Sequence, residues 1–433
     1  MERFLERSEC INPDYLTYTG EGVSIQHLRL SGISYIAGIN IDIQQDKGKI
    51  DTGLRGDLLP IAITRDEVGI RDVDFRGDIL KLRRGCWYKL IRPKAGSKQI
   101  ILRIHFKYIV TNISLADDDT ETNWDIFWDC TLSTPPNIPN WYIIEKGACP
   151  PKYMRYVRLD NDTRGITVSC SIRGIVSIHA HTRGETVQFY EITEDKVSGA
   201  IMWVHFPLAE KETITAGWVR EVDTPLNDRQ PALVLRTSLR RTCIFGPYVP
   251  QDRRHKYRFQ PLGNLSASPT GVCYNDMGIA SASQFRLGLT YDVQGTDDWV
   301  LSNPSSGDMD SPPDSTIPQW FYSSASLDGA IRVRLCVDKQ KPHVPCIGIL
   351  LVYVDHEESL GQWRYDRDIE DMVLPAPIYV FSGNDSTAGP YVRVVGSREQ
   401  EGDWREITGT DRIIWWFTSE CSIVVIRTAG QAS

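Results

Sequence analysis

Three short stretches of this 433-residue chain carry side chains able to do chemistry. His179-Ala-His181 sets two imidazoles one residue apart, so a strand would present both on one face, a geometry that can hold a metal ion. No third ligand at an informative spacing accompanies them, and the pair reads as a polar strand face. Asp355-His356-Glu357-Glu358 follows an apolar run and could place carboxylates at a sheet edge for hydrolysis, although charged turns commonly follow buried strands. Asp117-Asp118-Asp119 offers oxygen ligands for Ca²⁺ but lacks the spacing of an EF-hand loop. A GxSxG elbow, a Walker A loop, an HExxH helix and a GxGxxG turn after a strand are all absent from the sequence. No catalytic residue, metal ligand or cofactor is therefore assigned, and the chain reads as a non-enzyme.

Two cationic stretches suggest a different chemistry. Between Lys81 and Lys98 lie Arg83, Arg84, Lys89, Arg92 and Lys94, with Trp87 and Tyr88 interleaved and no carboxylate. Cations beside stacking aromatics suit single-stranded RNA. A second group comprises Arg240, Arg241, Arg253, Arg254, His255, Lys256 and Arg258. Both could equally be solvated faces paired with acids elsewhere. With 48 basic against 56 acidic residues the net charge is −8, so the chain as a whole is no general polyanion binder.

The elements that must carry these groups read as strands. Ile100–Tyr108 alternates Leu102, Ile104, Phe106 and Tyr108 with Arg103, His105 and Lys107. Ile331–Val337 alternates in the same way, with Arg332 and Arg334 outward, and Cys346–Val354 is apolar enough to be covered on both faces. Further strands are expected at Tyr35–Ile43, Gly165–His181, Phe285–Val293, Ile378–Phe381, Tyr391–Val395 and Cys421–Ile426. The best helical candidate is Leu360–Met372, whose mixed charges also fit a surface loop. The fold class is all-β.

A short pattern recurs. Pro-Pro-Asn-Ile138-Pro139-Asn-Trp141-Tyr142 resembles Pro-Pro-Asp-Ser-Thr-Ile317-Pro318-Gln-Trp320-Phe321, and the two Ile and the two Trp are separated by the same interval. That interval, about 180 residues, suits a duplicated domain rather than a solenoid. Prolines fix the backbone ahead of a strand, and the Trp-aromatic pair anchors it. With a turn-rich stretch at Pro207–Pro231, the expected organisation is residues 1–215, including an N-terminal extension, and 216–433.

The ten cysteines form no CxxC pair and several fall inside strand-like runs, which suggests a reduced chain without a disulfide framework. The sequons at Asn112, Asn161, Asn264 and Asn384 then read as chance matches. The charged first ten residues do not form a secretory signal, and no 18-residue apolar run occurs, so no membrane insertion is expected.

Trp320-Phe321-Tyr322, Gly329-Ala330-Ile331-Arg332-Val333-Arg334 and Gly348-Ile349-Leu350-Leu351-Val352-Tyr353 resemble the coat-protein jelly roll of picorna-like viruses, in particular the comovirus large coat protein with two jelly rolls in one chain. The first half shares only Trp141-Tyr142 and lacks the family's glycine afterwards. The resemblance implies two tandem jelly rolls with long loops and a capsid protein of a non-enveloped icosahedral RNA virus. Its partners would be copies of itself, other jelly-roll capsid proteins and genomic RNA. The setting would be the virion, assembled in host cytoplasm, with the host receptor unspecified. The alternative class is a cytosolic tandem β-sandwich lectin, in which exposed Trp and Tyr stack on sugars.

Overall fold

The structure, a computed structural model, describes residues 14–19, 23–41, 58–75, 83, 85–116, 126–130, 136–145, 153–171, 174–184, 187–197, 199–222, 231–249, 257–263, 268–275, 284–292, 311–314, 319–385, 389–397 and 402–428. The fold is all-β and sandwich-like, with antiparallel pairing throughout nearly all of its strands. Two compact units divide it: residues 1–136 with 145–156, and residues 137–144 with 157–433. The turn-rich stretch 207–231 lies within unit 2, and position 215/216 falls inside the strand Ile214–Val222.

In unit 1, Asp14–Tyr18, Ile100–Phe106 and Val110–Leu115 form one sheet. Ile61–Arg65, Ile70–Asp74, Trp87–Ile91 and Phe127–Trp128 join another, and Tyr153–Arg158 runs parallel to Phe127–Trp128. Val23–Leu30 and Ile33–Ile41 form a hairpin. The expected alternation in Ile100–Tyr108 is correct through Leu102 and Ile104, both buried. It fails beyond: pairing with the next strand shifts at His105/Phe106, the strand ends, and Tyr108 is 79% exposed. One extra residue in a ladder reverses the facing of the residues beyond it.

Unit 2 builds its sheets from two chain segments that do not mix strands. Residues 137–144 with 157–292 supply two whole sheets and the strands Trp141–Glu145, Gly271–Asn275 and Gln284–Thr290 of another, and residues 319–428 supply three sheets. One apolar core runs through both segments, from Tyr142, Ile166 and Leu287 to Phe321, Leu351 and Trp415. Cys346–Val352 is paired on both edges and buried over most of its length, as its apolar run requires. Ile331 departs from the expected pattern: it precedes the strand Arg332–Val337 and is 48% exposed. The run 165–181 is two strands, Gly165–Ser171 and Gly174–His181, not one.

Leu360–Met372 is not a helix. It belongs to Glu357–Gly361, a turn, and Asp368–Val373, because each edge finds a ladder partner in the sheet. Among the described residues the one helix is α1, Gln188–Lys196, with a single acidic residue in its first turn and Lys196 in its last. It has no side-chain N-cap bond and is short for an isolated helix, so packing must hold it.

Candidate functional site

The strand Gly165–Ser171 lies between Gly174–His181 and Met202–Pro207, and its two faces differ. Ile166, Val168 and Cys170 enter the apolar core. Gly165, Thr167 and Ser169 face the other way, and the register sets His179 and His205 on either side of Thr167. His181 lies opposite Gly165, whose lack of a side chain is needed here: a Cβ would come within 2.6 Å of His205 Cε1.

This face gathers the imidazoles. Thr167 Oγ1 is 2.7 Å from His181 Nε2 and 2.9 Å from His205 Nδ1, and Tyr365 Oη is 3.3 Å from His205 Nε2. The ring centroids of His181 lie 4.7 Å from His179 and 5.4 Å from His205. A single hydroxyl proton cannot serve two ring nitrogens, so at least one ring donates its N–H to Thr167. Neutral rings fit this network. Burial, with His205 and His179 close by, holds His181 down at about 2, and burial holds His205 down at about 3.

Helix α1 covers the same face. Phe189 stacks on His179 at 4.5 Å, and Tyr190 packs on Trp203 at 5.0 Å. Arg364 completes the layer from the other segment of unit 2. It donates to Asp366 through Nε (2.9 Å) and Nη2 (2.7 Å) and to Glu194 through Nη1 (2.5 Å). Its guanidinium lies over Tyr190 and Trp203 at 5.0 and 4.9 Å. Beside it is a cleft of about 330 Å³ lined by residues that include Glu194, Trp203, Lys341, Gln362, Arg364 and Arg367.

The seam between the segments is polar elsewhere too. Trp203 N donates to Gln362 Oε1 at 3.1 Å, Ser359 Oγ donates to the His205 carbonyl, and Arg241 Nη1 donates to the Glu357 carbonyl at 2.7 Å. Arg241 also grips buried Glu212 through Nε (3.0 Å) and Nη2 (2.5 Å). Burial alone would raise the Glu212 carboxyl, but donors from Arg241, Thr237 and the Ala209 amide outweigh it and hold it below its ordinary value.

The residues singled out from sequence fall in varied places. His179 and His181 sit on one strand face as expected, and the missing neighbour, His205, comes from a strand pairing that sequence spacing does not reveal. Among the described residues no group of three His, Cys, Asp or Glu is placed to hold a metal ion. Asp355 and His356 form the bend that leads into the strand Glu357–Gly361: His356 stacks on Tyr353 at 4.5 Å and reaches Asp355 at 2.7 Å and Glu358 at 3.6 Å. Asp117–Asp119 lie outside the described residues.

Of the cationic residues, Arg92, Lys94 and Lys98 are exposed together after Trp87–Ile91, and Arg83 is exposed near Asp72 at 3.6 Å. Trp87 is buried, with Tyr153 at 5.0 Å and Arg155 over its ring, so its faces are occupied within unit 1 and not open to bases. Lys89 turns inward and donates to the Ile113 carbonyl at 3.0 Å. Lys81, Arg84, Arg253 and Arg254 lie outside the described residues. Arg241 belongs to the seam, and Arg258 pairs with Glu221 at 2.8 Å.

The recurring motif does precede a strand in both places, Trp141–Glu145 and Phe321–Ser326. Tyr142, Trp320 and Phe321 are buried, whereas Trp141 is half-buried, near Ile138 and Gly288. Residues 137–144 and 319–428 both lie in unit 2; Pro139 is described, and Ile317 and Pro318 lie outside the described residues.

No family model matches this chain, and no curated protein matches it in sequence.

Proposed function

We propose that this chain is a non-enzymatic coat protein of a non-enveloped icosahedral RNA virus, with tandem jelly rolls tiling a shell alone or beside other jelly-roll proteins. The observation that carries this reading is the construction of unit 2: two β-rich segments share one core and a half-buried hydrogen-bonded seam. A shell tile must hold its shape while many symmetric contacts pull on it, and such a pair resists bending between its halves. The likeness of Trp320–Arg334 and Gly348–Tyr353 to picorna-like coat proteins points the same way. Arg92, Lys94 and Lys98 would offer cations to genomic RNA. No described helix is long and apolar enough to cross a membrane.

The lectin alternative needs indoles open to sugars. Trp203, Trp218, Trp363, Trp415 and Trp416 are instead fully buried, which favours a structural use of tryptophan. The test is electron microscopy of purified material after a sizing column, over a range of salt and pH and with candidate sister proteins. Closed shells of uniform diameter are the expected result. Small particles under every condition, together with glycan binding, would overturn it.

A further inference from the structure

We propose that the chain of contacts His181–Thr167–His205–Tyr365 is an acid-sensitive latch between the two segments of unit 2, holding them while the rings are neutral and releasing them when the rings take up protons. The latch stands on where the rings lie. His205 belongs to the first segment, yet its Nε2 faces Tyr365 Oη of the second, and its carbonyl accepts from Ser359 of the second. His181 lies 4.8 Å from the Tyr365 ring. The two imidazoles thus sit in the joint itself.

Among the described residues no acid is paired with either ring. Hydrogen bonds to the two rings come from the hydroxyls of Thr167 and Tyr365, none from a carboxylate. From its own strand, His181 meets His179, and from the strand edge Arg164, whose amide donates to the His181 carbonyl at 2.7 Å. From α1 come Tyr190 and Glu194; from the second segment come Glu357, Arg364, Tyr365 and Asp366. Glu194 and Asp366 are already bonded to Arg364, which brings a further cation to the layer. A proton on either ring would stand beside other imidazoles and Arg364; Glu194 and Asp366 are taken by that guanidinium, and Glu357, whose own carboxyl burial pushes up, is not hydrogen-bonded to either ring.

Both rings are held below the ordinary histidine value when folded and regain it when the joint opens, so opening takes up protons. The latch is intact above about pH 6.5 and weakens as the pH falls from there towards about 3, up to about tenfold in the opening constant per pH unit for each ring exposed. It does not depend on the coat-protein reading, since an isolated chain would show it.

The experiment has two arms on the full chain. In the first, ¹⁵N-histidine spectra follow each ring from pH 7.5 to 4.5. His181 and His205 should stay neutral in the folded signal; either buried ring titrating between pH 6 and 7 overturns the proposal. In the second, amide exchange is measured at pH 7 and pH 5, corrected for intrinsic rates. Protection in Met202–Pro207 and Glu357–Gly361 should fall at least tenfold more than in Ile61–Arg65 of unit 1. Equal loss in all three, or none, overturns it. His205→Asn keeps a polar group near Thr167 but cannot titrate in this range, and should flatten the pH dependence of exchange; should it not fold, the two measurements on the unaltered chain decide alone.

Discussion

Arg364 reaches Glu194 across 170 residues of sequence, Nη1 to Oε1 at 2.5 Å, and so ties the turn after Glu357–Gly361 to helix α1. Arg364 is 5% exposed, and its guanidinium also chelates Asp366 while lying over two aromatic rings. Its worth lies in what its loss would leave behind.

Arg364→Met should therefore destabilise unit 2 by about 1 to 3 kcal/mol, because Asp366, 19% exposed, loses its bidentate partner and keeps Arg367 at 3.9 Å. Glu194→Gln should cost less than about 1 kcal/mol, since that carboxylate is 44% exposed. Urea unfolding of both variants separates the two; equal effects would show that the helix contact, not the Asp366 chelate, dominates.

Arg241 and Glu212 make the comparable tie at the other end of the seam, with the Glu212 side chain fully buried. Arg241→Met should cost about 3 to 5 kcal/mol, as an uncompensated carboxylate is left inside. The Glu212 carboxyl is held low when folded, so its stabilisation is present above about pH 4.5 and lost as the pH falls below that. In Arg241→Met this acid dependence should weaken, a difference that unfolding midpoints between pH 6 and 3 would register.

Gly361 has φ +65°, and a Cβ there would meet the Ile347 carbonyl at 2.6 Å and the Trp415 ring at 3.0 Å. Gly361→Ala should cost about 2 to 4 kcal/mol through backbone strain and overlap with rigid neighbours. Gly409→Ala, with open space around it, is the control and should change the thermal midpoint little.

The described cysteines are free, and burial pushes the Cys243 and Cys336 thiols up to about 12 and those of Cys170 and Cys346 higher still. Iodoacetamide at pH 8 should leave these four unmodified in the folded chain and label them fully in denaturant. Mass spectrometry of the peptides checks this directly; rapid native labelling of Cys170 would contradict the burial described.

Much of the fold was legible residue by residue. Period-two alternation placed Leu102, Ile104, Val333 and Leu335 inward, and a nearly continuous apolar run marked Cys346–Val354 as doubly covered, which holds over Cys346–Val352 but not at Val354, 86% exposed beyond the strand end. These signals are local, since a strand's facing follows from its own side chains. Tyr108 and Ile331 were misread because strand ends and bulges are set by the partner strand, which local pattern does not contain.

The site was legible only in part. The spacing of His179 and His181 already puts both rings on one strand face, and Met202-Trp-Val-His-Phe sets Trp203 and His205 together by the same rule. Sequence alone thus determined an all-β chain, the inward faces of its longer strands, and two polar-aromatic strand faces. Tertiary structure decided that these faces meet on either side of Thr167, that α1 and the turn bearing Arg364 and Tyr365 close over them, and that Trp87 turns inward. The reason is physical: alternation fixes which way a side chain points, but register and long-range packing choose what it meets, and burial among those neighbours then sets its charge.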